Sequence, residues 1–203
     1  MRRLVVAIAA LTLVAVACDS GHVPKSLEAA TDAWQTDFSI SSIELSELVV
    51  GVAAGDPRDI IQPLDDPHFQ TVAQADVWLT GDEPGVVLDL DDVARFYPLR
   101  ILNRHEVIND RIGDTPVLVT YCPLCNSALV FDPTVEGTHL RFGTSGLLRN
   151  SDLVLWDDAT ESLWQQLTGE AIVGESTGAQ LRPLASAILR WGDFAGRYQD
   201  GQV

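Results

Sequence analysis

The apolar residues of this 203-residue chain form one unbroken run near the N-terminus, Leu4 to Ala17 with Thr12 as its single hydroxyl, and later a series of short runs separated by turn residues. The first run, fourteen residues at about 1.5 Å each, reaches roughly 21 Å, short of the roughly 30 Å hydrocarbon core of a bilayer. From Asp19 to Ser42 the pattern turns polar, with only a short helix expected at Leu27–Trp34, so residues 18–42 read as a flexible tether. The folded unit is expected to begin at Ile43 and run to Val203 as one domain. Val49–Val52 and the proline-broken Ile61–His68 form an irregular entry, and Val86–Leu90 reads as a strand. Asp91-Asp92 predicts an N-cap for a short helix over Val93–Tyr97 that Pro98 stops. Strands are then expected at Arg100–Leu102, His105–Ile108, Pro116–Tyr121, Ala128–Phe131, His139–Phe142 and Leu153–Trp156. Asn109–Asp114 and Asp132–Gly137 are connecting loops of hairpin type. Ala185–Trp191 predicts a last helix closed by Gly192. The pattern amounts to an α+β fold with a β-rich antiparallel centre and a few short helices.

Composition adds exclusions. With 46% hydrophobic and 21% charged residues the chain has ordinary globular usage, which argues against a disordered or disulfide-scaffold protein. Its formal charge of −16 repels a phosphate backbone, so nucleic acid is not an expected partner. Charge also bears on the first run: Met1-Arg2-Arg3, the apolar stretch and Ala15-Val16-Ala17-Cys18 fit an export signal over residues 1–17. The last four residues resemble a bacterial lipobox, which would place a lipid anchor on Cys18 and make the protein a cell-membrane lipoprotein facing out of the cytoplasm. Ala15-x-Ala17 equally suits ordinary signal peptidase, and the product would then be secreted. Either cleavage removes Arg2 and Arg3 and leaves a still more acidic chain.

The candidate chemistry lies at Cys122-Pro123-Leu124-Cys125, at the end of the strand expected over Pro116–Tyr121. This spacing lets two sulfurs converge, as a reversible dithiol/disulfide pair or as half of a thiolate metal site. A permanent structural disulfide is the third reading, although a loop this short removes little unfolded-chain entropy. Outside the cytoplasm, with Cys18 processed, two cysteines remain and can pair internally. By analogy with other C-x-x-C enzymes, Cys122 is the expected nucleophile and Cys125 the resolving thiol. The following residues read as strand, which excludes an ordinary thioredoxin, whose first cysteine opens a helix.

His105 is the histidine best placed to join them, as proton partner of the thiol or as third ligand of a copper or zinc site with Cys122 and Cys125. The redox reading needs no cofactor, and its partner, a protein or a small molecule, has no signature in the sequence. Glu106, Asn109, Asp110 and Tyr121 surround these residues in sequence as supporting groups, with Asn126 just after the pair. Ser145, Trp164 and Gln165 join them from two later motifs. Phe142-Gly-Thr-Ser-Gly-Leu147 lets its backbone approach a ligand or another loop closely, and it lacks the lysine of a nucleotide-binding loop.

Together, Tyr97–Asp110, Val119–Ala128, Phe142–Asp152 and Glu161–Gln165 resemble the domain of unknown function 3179 family over roughly Ile43–Val203. The resemblance implies a bacterial or archaeal, often exported domain, and brings no established activity. Selenocysteine in place of a motif cysteine in some members implies redox chemistry. Two departures stand out: Asn126 occupies a position where the family often has Gly, and the chain ends at Val203 where relatives usually continue.

Overall fold

Val117-Leu118-Val119 shows no polar alternation because its strand is covered on both faces, an arrangement that continuous apolar strands require. The computed structural model, which describes residues 23–52 and 55–203, places this strand, Thr115–Cys122, at the centre of a middle sheet. Across that sheet the order is Arg182–Leu184, Ser127–Asp132, Thr115–Cys122, Val107–Ile112 and Leu64–Asp65. Neighbours are antiparallel except for the last pair, which is parallel.

A second five-stranded antiparallel sheet packs on one face of the middle sheet. Its order is Leu48–Val50, Phe142–Arg149, Asp152–Asp157, Leu163–Gln165 and Glu170–Val173. Between the two sheets, Val107, Leu118, Cys122 and Phe131 meet Phe142, Leu153, Leu155 and Trp164. A third sheet, Ser186–Arg190, Pro84–Leu90 and Val93–Pro98, covers the other face, where Val117, Val119 and Tyr121 meet Val86, Leu88 and Tyr97. The period of two along one strand thus serves two cores. Helices Val72–Ala75 and Trp191–Arg197 close the far side of the third sheet around Phe96, Trp191 and Phe194. The fold is α+β and β-rich, with four short α-helices among the described residues.

Several local expectations are corrected. Val93–Tyr97 is strand, not helix: Leu90 pairs with Val93, and Asp91 and Asp92 at φ 52° and 63° make the two-residue hairpin turn between them. Arg100–Leu102 lies in the helix Leu99–His105, which buries Leu99 and Leu102 and ends at Glu106 in the left-handed region. The strand expected at His105–Ile108 therefore starts only at Val107 and takes in Asn109–Ile112, leaving Gly113-Asp114 as the turn. Ser186–Arg190 is an edge strand of the third sheet rather than part of a helix, and Gly192 sits inside the helix that follows. The Phe142–Leu147 run is strand with a bulge between Thr144 and Leu147. Its glycines admit a neighbouring loop: a Cβ on Gly143 would lie 2.1 Å from the Asp59 carboxylate, and one on Gly146 2.5 Å from Pro57.

The tether is also revised. Residues 23–42 lie against the domain as far as they are described: the helix Lys25–Thr31 turns Leu27 and Ala30 inward, and Trp34 joins them over the outer face of the second sheet. Trp34 donates its indole N–H to Asp56 at 3.0 Å, Thr36 donates to the Glu161 carbonyl, and Ser42 N–H donates to Ile172. Three apolar residues at spacings of three and four suffice for a buried face, although the segment's average is polar. The export signal and Cys18 lie outside the described residues, among which no helix is long and apolar enough to cross a membrane.

Candidate functional site at the Cys122–Cys125 turn

Cys122 pairs with Ser127 as the last rung between Thr115–Cys122 and Ser127–Asp132, so Pro123–Asn126 form the connection at the sheet's end. Because even-numbered residues of the first strand face the second sheet, Cys122 points into the core and is 1% exposed. Cys125, on the connection, is exposed, and the two cysteines approach to 2.9 Å without being bonded. Asn126 takes φ 49°, and Asn is among the side chains that best tolerate the left-handed region. Its Oδ1 also accepts from the Tyr121 hydroxyl at 3.0 Å.

The third group of the site comes from the hairpin Phe142–Arg149/Asp152–Asp157, whose turn residues Asn150 and Ser151 both have positive φ. That turn lies over the cysteines. The Ser151 carbonyl is 3.9 Å from Cys122 Sγ, and Asp152 Oδ1 is 3.3 Å from Cys125 Sγ. Asp152 is 1% exposed; its other oxygen accepts from Gln165 Nε2 and from the Leu167 N–H at 3.1 Å. On the opposite side Ser127 Oγ lies 3.0 Å from Cys125 Sγ and donates to Gln166 Oε1. Gln166 in turn donates to Thr120 Oγ1 at 3.0 Å, so a buried polar chain ties the thiol to the central strand.

Burial pushes the Cys122 thiol up to about 12, with hydrogen bonding to Cys125 the next cause. At neutral pH Cys122 is a thiol, and the accessible sulfur is that of Cys125. The expected nucleophile, Cys122, is thus the buried sulfur, and the expected resolving thiol, Cys125, is the exposed one.

The structure does not bring His105 into the site. It is the last residue of its helix, and its Nδ1 lies 2.7 Å from the Gln62 carbonyl. Among the described residues the sulfur-ligand group is Cys122, Cys125 and Asp152, not Cys122, Cys125 and His105. The helix's left-handed exit at Glu106 is the cause, because it breaks the strand register that would have carried position 105 alongside Cys122. Asn109 and Asp110 serve the fold. The Asn109 side chain exchanges hydrogen bonds with the Phe142 backbone, joining middle and second sheets, and Asp110 binds Arg95 and the Tyr97 hydroxyl. Ser145 donates to the Val154 carbonyl and accepts from Leu147 N–H at the bulge. Trp164 fills the core between the sheets and donates to Asp157 at 2.8 Å. Gln165 does belong to the site, through Asp152. Asp152, Ser127 and Gln166 were not singled out by the sequence, where 152 stands far from 125 and only the hairpin turn unites them.

Glu106 has a different consequence. Burial raises its carboxyl from 4.5 to about 7, so the folded chain keeps this proton where the unfolded chain has lost it. Its contribution to stability is full below pH 4.5 and is lost as pH rises to about 7. Such a shift corresponds to at most roughly 3 kcal/mol, discounted to about 1–2 kcal/mol for a half-buried side chain. Glu106→Gln is expected to gain that amount at pH 8 and nothing at pH 4, measured by urea unfolding at both values. Equal effects at the two pH values would refute the assignment.

Three stacked sheets with a thiol pair at a strand end define a β-rich domain built around one sulfur-bearing turn. The family model for a protein of unknown function, DUF3179, matches residues 58–203, and the chain belongs to that family. No curated protein and no solved structure matches it.

Proposed function

We propose that this chain is a thiol–disulfide redox protein acting outside the cytoplasm, held to the membrane by a lipid on Cys18. The observation that carries the reading is the asymmetry of the pair: an exposed Cys125 lies 2.9 Å from a buried Cys122, both unbonded. The Cys125 thiolate attacks one sulfur of a partner disulfide. A mixed disulfide forms, and the displaced thiolate leaves and takes up a proton. Cys122 then gives up its proton and attacks Cys125 Sγ, closing the intramolecular disulfide and releasing the second partner thiol. Two electrons and two protons pass from the pair to the partner, and the reverse sequence oxidises a dithiol. A permanent staple is disfavoured because a loop this short gains little entropy.

The test equilibrates the purified protein in glutathione buffers containing a chelator and counts free thiols. A single reversible two-electron transition within the range of known oxidoreductases is expected. A pair that stays reduced, or stays oxidised, in every buffer would overturn the proposal.

A further inference from the structure

A buried carboxylate normally has a cationic partner, because an uncompensated charge at 1% exposure is costly. Asp152 forms no ion pair among the described residues. The nearest cationic side chain in its network, Arg149, donates to Gln165 at 3.3 Å and spends its charge on Glu47. The other Asp152 oxygen accepts instead from the Cys125 thiol at 3.3 Å, and the ligand atoms of Cys122, Cys125 and Asp152 all lie within 4.8 Å of one another.

We propose that Cys122, Cys125 and Asp152 form a zinc site that exists only while the thiols are reduced. Two sulfurs and one carboxylate oxygen match a borderline-soft divalent cation better than copper(I), which favours sulfur alone. Zinc–sulfur bonds of about 2.3 Å and zinc–oxygen bonds of about 2.0–2.2 Å set tetrahedral ligand atoms on the order of 3.5 Å apart. The exposed Cys125 reaches that spacing by turning on its connection. Asp152 is already oriented for the ion: Gln165 and the Leu167 amide hold one oxygen, and the other meets only the Cys125 thiol, whose proton the ion would replace. Cys125 faces solvent, so the fourth position is open to water. On binding, the two thiols lose their protons to solvent and the ion joins two thiolates and one carboxylate. The disulfide removes both sulfur ligands, so zinc and oxidation exclude one another. This regulation rests on the redox reading, whereas the site itself requires only reduced thiols.

The reduced full chain is titrated with zinc chloride against a chromogenic chelator. One ion per chain is expected for the reduced protein and none after oxidation. Asp152→Asn is expected to weaken binding tenfold to a hundredfold, and Cys125→Ser to remove it at micromolar zinc. Absence of zinc binding by the reduced wild type would overturn the proposal, as would an Asp152→Asn variant that binds unchanged. If that variant does not fold, cobalt(II) decides with the wild type. Tetrahedral visible bands with thiolate charge transfer support the site, and an octahedral spectrum refutes it. A wild type that binds zinc yet never forms its disulfide refutes the redox reading alone.

Discussion

Cys125→Ser abolishes reaction with a disulfide probe, whereas Cys122→Ser leaves the first attack intact and stalls the second; this is the expected result of mixing each variant with a small aromatic disulfide. The asymmetry follows from burial: only the Cys125 sulfur meets solvent, and Cys122 lies under the Ser151 carbonyl inside the core between two sheets. In the wild type the mixed disulfide at Cys125 is short-lived because the resolving sulfur starts 2.9 Å away. An intramolecular attack at that range has an effective molarity that no free thiol approaches, so its loss lengthens the mixed disulfide's lifetime roughly a thousandfold or more. Mass spectrometry of the quenched mixture should show the probe adduct on Cys122→Ser and on neither Cys125→Ser nor, beyond the first moments, the wild type. An adduct that persists instead on Cys125→Ser would restore the order suggested by analogy with other C-x-x-C proteins and remove the role assigned to the exposed sulfur.

The sequence made the middle of this fold readable because the short apolar runs Pro116–Tyr121 and Ala128–Phe131 have the length of strands, and turn residues bound them. It failed where local rules permit two outcomes. Asp91-Asp92 is as good a pair for a hairpin turn as for a helix start, and only pairing of Val93–Pro98 with Pro84–Leu90 decides between them. Lys25–Trp34 looks like tether because its few apolar residues gain their burial from a sheet in which every strand but Leu48–Val50 lies more than a hundred residues later. The site divides in the same way. The sulfurs are neighbours in sequence and were visible there. Asp152 reaches them only through the turn at Asn150-Ser151, and His105 fails to reach them because one left-handed residue redirects its strand.

Asp110 shows how a motif residue expected to support the site can belong to the architecture instead. Its carboxylate sits between the middle and third sheets, 8% exposed, where it binds the Arg95 guanidinium, accepts from the Tyr97 hydroxyl at 2.7 Å and accepts from the Arg111 N–H. Arg95 is 9% exposed and fixed further by Gln202, the Arg111 carbonyl and the Phe69 ring 4.0 Å away, so it cannot swing out to water when its partner is lost. Asp110→Ala therefore strands a buried cation, at a cost of about 3–5 kcal/mol, a large share of the roughly 5–15 kcal/mol that holds a domain folded. For a chain of this length the melting temperature should fall by about 6–20 °C. Replacing both partners with apolar residues of similar size should recover most of the loss, because the penalty lies in the unpaired charge. Since neither residue touches the cysteine turn, the thiol–disulfide equilibrium of the folded Asp110→Ala protein should match the wild type. A melting temperature within 2 °C of the wild type would contradict the buried-pair assignment, and an altered thiol equilibrium would return Asp110 to the functional site.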